Sequence, residues 1–215
     1  MDRPKLLDLF CGAGGCSMGY HRAGFDVTGV DINPQPRYPF PFIQADAMTL
    51  DPEFIRSFDA VHASPPCQAY SMASQQWRKA GKVYPDLLGP VRGMLIETGK
   101  HYVIENVPGA DLINPTKLTG ALFGLRVRRT RYFETSFDIP LILVPSESKS
   151  NFKMGRPIVE GDIITPVGHF SGVAYAKKQM DIDWMTQKEL SQAIPPAYTN
   201  FIGKQLMEYI NAKAK

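Results

Sequence analysis

The stretch most able to do chemistry is Ala63-Ser64-Pro65-Pro66-Cys67-Gln68. Two prolines fix the backbone ahead of a thiol, and a thiol presented at a turn can act as a nucleophile. A free cysteine is most often a small buried hydrophobe. The polar, glycine-containing stretch from Ala69 to Val83 argues against that here, because it suits a loop that closes over a substrate and excludes water. Further on, Glu105-Asn106-Val107 puts a carboxylate and an amide at the end of an apolar run. Burial there would raise the pKa of Glu105, and a protonated carboxyl can donate to a ring nitrogen. An ordinary strand-ending acid paired with an arginine is the alternative that these residues leave open. Arg129 and Arg131 alternate within RVRRTRYFE and would share one face of a strand. A solvated basic edge is the default reading of such a run, whereas a guanidinium pair beside the thiol would lower its pKa and bind a phosphate or a carbonyl oxygen.

A second constellation lies upstream. Gly12-Ala13-Gly14-Gly15 follows the apolar run KLLDLF, and a glycine turn between strand and helix lets a ligand approach the backbone and the helix amides. Ser17 stands where the third glycine of a dinucleotide fingerprint belongs, and the GK[ST] ending of a phosphate loop is missing. Asp31 and Asp46 end the next two strands, where one carboxylate could accept both ribose hydroxyls and the other an adenine amino proton. An adenosine-containing cofactor fits, and S-adenosylmethionine fits better than NAD or ATP.

These residues need a scaffold that brings strand ends to one edge. Lys5 to Phe10, Asp26 to Ile32, Phe42 to Ala45, Asp59 to Ala63 and His101 to Val107 read as strands. CSMGYHRAG, ended by Gly24, and Leu87 to Thr98 read as helices. Strands separated by helical stretches imply an α/β fold with a doubly wound, mostly parallel sheet. After Gly109, LFGLRVRRTRYFET and PLILV look like strand material, and residues 145–161 like a polar surface loop. A helix entered through Pro195-Pro196 and carrying Phe201, Ile202, Leu206, Tyr209 and Ile210 closes the sequence. One catalytic domain is expected over 1–139 and 185–215, with a short irregular region over 140–184.

The composition is compatible with this. The chain has 215 residues, 44% hydrophobic and 21% charged, which excludes a fibre or a disordered tail. A net charge of +3 is too small to imply a nucleic-acid partner by bulk charge alone. Three cysteines make a disulfide framework unlikely, and the four scattered histidines spell no metal site. No apolar run approaches the ~18 residues of a membrane span, and the start MDRPKLLDLF does not read as a secretory signal.

Asp8-Leu9-Phe10-Cys11-Gly12-Ala13-Gly14-Gly15, Pro65-Pro66-Cys67-Gln68, Glu105-Asn106-Val107, Arg129-Thr130-Arg131 and Gln192-Ala193-Ile194-Pro195-Pro196 together resemble the ordered motifs of the DNA (cytosine-5) methyltransferases. The compact chain is most similar to phage-type members, and the resemblance implies a cytoplasmic restriction-modification or phage enzyme that works as a monomer on double-stranded DNA, without metal or membrane. It implies that Phe10, Gly12, Ala13, Gly15, Asp31, Ile32, Asp46, Ala47, Pro66, Gln192 and Ala193 bind S-adenosyl-L-methionine. Cys67 would attack C6 of a flipped cytosine, Glu105 would donate to N3, and Arg131 with Arg129 would hold O2 and the adjacent groups. Gln68, Ser71, Trp77, Arg78 and Asn106 would contact the substrate. Free nucleotide, RNA, a larger transferred group and a silent DNA-binding relative are the competing readings.

Two positions depart from the family pattern: Val127 stands where a glutamine is usual, and Gln192 where asparagine is common. Only about fifty residues separate Phe133 from Trp184, far short of a conventional target-recognition domain. DNA would then be held by local charge. Arg78, Lys79 and Lys82 after the nucleophile, and Arg126, Arg128, Lys149, Lys153 and Arg156 around the shortened region, are the expected phosphate contacts, with Trp77 or Gln75-Gln76 filling the gap of the flipped base.

Overall fold

A computed structural model describes residues 2–146 and 156–213. Strand β1 (Lys5–Leu9) is buried on both faces and lies at the centre of the sheet, paired in parallel with β2 (Asp26–Asp31) and with β4 (Ala60–Ala63). Strand β3 (Phe42–Gln44) extends the sheet beyond β2 and β5 (His101–Asn106) beyond β4, both in parallel. Two antiparallel strands follow, β7 (Arg131–Thr135) beside β5 and β6 (Thr116–Leu118) outside it, giving the order β3-β2-β1-β4-β5-β7-β6. The doubly wound, mostly parallel α/β sheet read from the sequence is therefore present, closed at one edge by an antiparallel pair.

Alternation along the central strands sorts the core into two layers. Leu6, Val27, Ala60, Val103 and Phe133 face helices α1 (Gly15–Ala23) and α7 (Pro196–Lys213). Leu7, Leu9, Val30, Val61, Ala63 and Ile104 face the other side, where α2 (Pro52–Arg56) and α4 (Leu88–Thr98) pack. Each fully buried leucine contributes about 2 kcal/mol. Helices α1 and α7 meet closely because position 19 is glycine, where a Cβ would lie 2.0 Å from Thr199 Oγ1 and 2.3 Å from the Pro196 carbonyl. Thr199 Oγ1 donates to the Cys16 carbonyl across this crossing, 2.8 Å.

The region after β6 departs from expectation. Gly120–Phe123 form a 3-10 turn rather than strand, and PLILV is not strand either. β6 already occupies the sheet edge beyond β7, so PLILV finds no partner, and Leu141 and Leu143 are 97% and 91% exposed. The described part of 140–184 is less irregular than expected, and the segment that follows it packs with it. They carry α5 (Val173–Met180) and α6 (Gln187–Leu190), between which Ile182 and Met185 join Val127, Ile164, Ala176 and Leu190 in a third apolar cluster. Val127 is 2% exposed and bridges to Ile164, so an apolar contact stands where the family commonly has a glutamine.

Candidate active site

The turn after β1 is shaped by backbone that only some residues tolerate. Gly12 and Gly14 have φ of +49° and +86°, and Phe10, which is not glycine, has φ +58°. A left-handed non-glycine residue costs about 1–2 kcal/mol, and here the neighbouring Cys11 amide, bonded to the Val30 carbonyl at 3.1 Å, helps hold the strand end in place. The Gly12 amide donates to Asp31 Oδ2, 3.0 Å, and the Asn33 amide to Asp31 Oδ1, 2.9 Å. Asp46 follows β3 at the same edge, because the Ala45 amide bonds the Asp31 carbonyl at 3.1 Å. Its Oδ1 accepts from the Met48 amide at 2.9 Å, with Ala47 buried beneath.

The closing segment reaches the same turn. At Gly15 a Cβ would lie 2.5 Å from the Ile194 carbonyl, so only glycine permits this approach. Ala193 packs in one cluster with Ala13, while Gln192 is exposed. Trp184 Nε1 donates to the Ala13 carbonyl, 2.7 Å. The residues present suit an adenosine and sulfonium ligand. Gly12 leaves open space where a Cβ would stand, two carboxylates flank the edge, and Ile32, 62% exposed, offers apolar surface beside Asp31.

The cysteine turn starts one strand away, where the Ser64 amide bonds the Leu9 carbonyl at 3.1 Å. Cys67 is half-buried, and its carbonyl accepts from the amides of Tyr70 (3.0 Å) and Ser71 (2.8 Å), which bends the chain sharply behind the thiol. Glu105, 5% exposed, lies at ion-pair distance from Arg131, 3.0 Å between Oε1 and Nε, without the alignment of a hydrogen bond. Burial raises the Glu105 pKa, opposed by Arg131, a Ser64 hydrogen bond and Arg129. Both readings left open for this acid thus hold together: it is raised and it is arginine-paired. The expected depression of the Cys67 pKa is not found. Burial first, then the Glu105 charge, raises it, outweighing Arg131 and Arg129.

Arg129 does not lie on a strand with Arg131, since β7 begins at Arg131. It sits just before, 2% exposed, with Nη1 donating to the carbonyls of Pro166 and Ser191, both 2.8 Å. Burial, then Arg131, lowers its pKa to about 9. Its buried Nε and Nη2 have no hydrogen-bond partner among the described residues.

Three expected substrate or phosphate contacts are used elsewhere. Asn106 is buried, its Nδ2 donating to the Pro65 carbonyl (3.1 Å) and its Oδ1 accepting from the Val107 amide (2.8 Å), so it braces the cysteine turn from behind. Arg78 lies in α3 (Gln75–Lys79), and its Nη1 donates to the carbonyls of Gln68 (2.7 Å) and Ser71 (2.8 Å) and to Ser74 Oγ (2.6 Å). It gathers the loop after Cys67 instead of facing outward. Arg156 is held by both oxygens of Asp162 at 2.7 Å, which neutralises it locally. Trp77, 55% exposed on α3, and the exposed Gln68 remain available, as do Arg126 and Lys79 on the surface. Lys149 and Lys153 lie outside the described residues. Among the described residues, no helix is long and apolar enough to cross a membrane, and no His, Cys, Asp and Glu cluster could hold a metal.

Comparison with known proteins turns on the same segments. The C-5 cytosine-specific DNA methylase family matches residues 4–119, more than half of the chain. This chain belongs to that family. It is 36% identical over 121 residues to the type II methyltransferase M1.HphI of Haemophilus parahaemolyticus, covering 47% of this chain and 32% of that protein. With M.AquIA of Picosynechococcus it shares 32% over 133 residues, 53% of this chain and 51% of the relative. The match thus spans about half or less of each relative. A DNA modification methyltransferase encoded within an E. coli prophage has the same fold, with TM-score 0.65 at 17% identity over 97% of this chain and 99% of that one. The Entamoeba histolytica methyltransferase EhMeth aligns at TM-score 0.61, 17% identity and full coverage of both chains.

Beneath the family motifs lies a buried polar layer that the motif reading missed. Ser17 donates to Asp8 Oδ2 and accepts from Tyr38 Oη at 2.8 Å, while Tyr20 and His62 share a hydrogen bond of 2.9 Å. Burial, the largest cause, raises the Asp8 pKa to about 7 and lowers that of His62 to about 3. The signal was available: Asp8 in KLLDLF and His62 in DAVHA are polar residues inside otherwise apolar central strands.

Proposed function

We propose that this protein is an enzyme that transfers the methyl group of S-adenosyl-L-methionine to C5 of cytosine in double-stranded DNA, through a covalent adduct between Cys67 and C6. The juxtaposition of Cys67, Glu105 and Arg131 at the strand edge that also carries the glycine turn and Asp31 is the observation that supports it most. The Asp31 carboxylate would hold the ribose and Asp46 the adenine amino group, with Phe10, Ile32 and Ala47 against the base and Gly12, Ala13, Gly15, Pro66, Gln192 and Ala193 around the methionine part. The cofactor supplies an electrophilic methyl group.

C5 of cytosine is too electron-poor to take that methyl until a nucleophile adds at C6. Cys67 would form the S–C6 bond while Glu105 gives its proton to N3, so that no net charge builds in the ring. The two acids are coupled: burial is the main cause that raises the Cys67 pKa and the Glu105 charge adds to it, so protonating Glu105 makes the thiolate easier to form. Arg131 would hold O2. After methylation, water would take the C5 proton, N3 would return its proton to Glu105, and Cys67 would leave as the thiolate, which restores the aromatic ring.

Residues 140–184 would stand in for a target-recognition domain, with the rest forming the catalytic domain. The protein would act as a monomer in the cytoplasm of a bacterial or phage-infected cell; the relatives it resembles are type II methyltransferases of bacteria. Incubation with labelled cofactor and DNA, RNA or free dCMP, followed by mass spectrometry, tests the substrate: 5-methylcytosine in DNA is expected. DNA carrying 5-fluorocytosine should trap a covalent adduct that Cys67→Ser abolishes. No adduct, or full activity of Cys67→Ser, would sink the covalent mechanism.

A further inference from the structure

Residues 32–41 join β2 to β3 without regular structure, and they leave β2 directly after Asp31, the carboxylate proposed for the ribose. Their middle turns inward. Tyr38, whose amide bonds the Gln35 carbonyl at 3.0 Å, inserts its ring between the glycine turn and β2, and its hydroxyl donates to Ser17 Oγ of α1 at 2.8 Å. Ser17 is fully buried and donates in turn to Asp8 Oδ2 of β1.

Two glycines make room for that ring. A Cβ at Gly29 of β2 would lie 2.3 Å from both Cζ and Oη of Tyr38, and a Cβ at Gly14 would lie 3.0 Å from Cδ2 and Cε2. At Gly12, by contrast, a Cβ would meet nothing within 4 Å. The glycines of the turn therefore divide by purpose: Gly12 leaves space at the site, whereas Gly14 admits a side chain of the protein itself. Phe40 and Phe42 flank the tyrosine at centroid distances of 5.8 and 5.7 Å, and Phe40 also packs on His21 of α1 at 4.9 Å. Arg37 reaches Glu189 of α6 at 3.2 Å, but Arg37 is half exposed and such a pair contributes little. The buried bond from Tyr38 is the anchor.

We propose that Tyr38 is a positioning residue for the cofactor: by fastening residues 32–41 to α1 and β1 through Ser17, it holds the Asp31 carboxylate and Ile32 in the geometry that receives the adenosine. The path from anchor to carboxylate is short. Asp31 Oδ1 accepts from the Asn33 amide, inside the fastened segment, and Oδ2 from the Gly12 amide, inside the glycine turn, so its orientation depends on both staying in place. The ends of the segment are tied separately, the Pro41 carbonyl to the Gly29 amide at 2.9 Å and the Ile32 carbonyl to Gln44 Nε2 at 3.3 Å. Without the tyrosine anchor the ligand itself would have to order the stretch between them, and binding would bear that cost. The part given to Asp31 and Ile32 rests on the function proposed above; the fastening does not.

Two measurements on the full chain test this. Amide hydrogen exchange without ligand, followed by NMR, reads the fastening. Tyr38→Phe removes one oxygen and keeps the ring, and it should speed exchange at Gly12 and Asn33 severalfold relative to the amides of α4, which report global opening. Calorimetry with S-adenosylmethionine reads the consequence: Kd should rise about twofold to tenfold, the equivalent of one neutral hydrogen bond. In methyl transfer to DNA, KM for the cofactor should rise with kcat unchanged, a split that a general loss of stability does not produce. Ser17→Ala removes the acceptor and should weaken binding as well, and adding Tyr38→Phe to it should cost nothing more.

Unchanged exchange at Gly12 and Asn33, unchanged affinity in Tyr38→Phe, or a second equal loss in the double variant overturns the proposal. Faster exchange in a protein whose wild type binds no S-adenosylmethionine keeps the fastening and rejects the cofactor reading instead.

Discussion

Replacing Asn106 by alanine removes both ends of the brace behind the cysteine turn. Two backbone groups then lose their partners, the Pro65 carbonyl at 3.1 Å and the Val107 amide at 2.8 Å. Each buried polar group left unpaired costs about 1–3 kcal/mol. Pro65 is buried, so its carbonyl bears that full cost, whereas Val107 is half-buried and its amide can regain water. A loss of about 2–4 kcal/mol in unfolding free energy follows, a large share of the roughly 5–15 kcal/mol of a typical domain. Urea unfolding should report it as a lower midpoint at constant slope. Because Pro65 lies two residues before Cys67, the turn that carries the thiol loosens too, and adduct formation with 5-fluorocytosine DNA should slow by more than the folded fraction explains. Asn106→Asp makes a control, since its carboxylate keeps the acceptor for Val107 but turns an oxygen toward the Pro65 carbonyl; protonation at low pH should relieve part of the damage. A change below about 0.5 kcal/mol, the usual scatter of surface substitutions, would refute the bracing role. A destabilised variant whose thiol reacts at the wild-type rate would refute the positioning of Cys67.

Trp184→Phe deletes the 2.7 Å bond from the indole to the Ala13 carbonyl, so calorimetry should find S-adenosylmethionine bound about twofold to tenfold more weakly; equal affinity would mean that the turn holds its shape unaided. Glu105→Gln should lower kcat by about a hundredfold or more with the cofactor Kd unchanged, as expected of a proton donor, whereas equal losses in both would mark a structural acid. Asp8 and His62 have opposite pH dependences. The raised pKa of Asp8 contributes stability that is complete below about 4 and lost as pH rises through about 7, while the lowered pKa of His62 contributes stability present above 6.5 and lost as pH falls toward about 3. Between about pH 4 and 6.5 the folded pair holds one proton on Asp8 and the unfolded pair one on His62, so the two slopes cancel. Asp8→Asn leaves the His62 slope alone, and its stability should fall relative to wild type at about 1.4 kcal/mol per pH unit on acidification; parallel curves would contradict this.

Strands, helix ends and the shared edge were legible because each rests on a local signal. Apolar runs ended by Gly12, Pro65 and Val107 mark where β1, β4 and β5 stop, and Gly24 and Gly99 end α1 and α4 with φ of +109° and +69°. Tertiary pairing decided the rest. PLILV has strand composition but no neighbour at the sheet edge, and Arg129 and Arg131 both act on Glu105 and Cys67 although β7 begins only at Arg131. The same cause explains Arg78, Asn106 and Arg156. In sequence each is a polar side chain near the nucleophile or the shortened region, which invites a ligand; in the fold each satisfies a protein group that would otherwise go unpaired, for burial leaves polar backbone and carboxylate atoms that something must meet. Residue type states what a side chain can bond, and only the packing states which partner reaches it first. His62 is the converse case. A histidine inside DAVHA looks like an error in an apolar strand, yet buried polar residues persist where they connect to something, and both ring nitrogens of His62 are engaged, by Tyr20 and by Ser64. In a central strand read from sequence, the polar residue that breaks the apolar run is therefore worth following to its neighbours, as His62 leads to Ser64 two residues on and to Tyr20 of the packed helix.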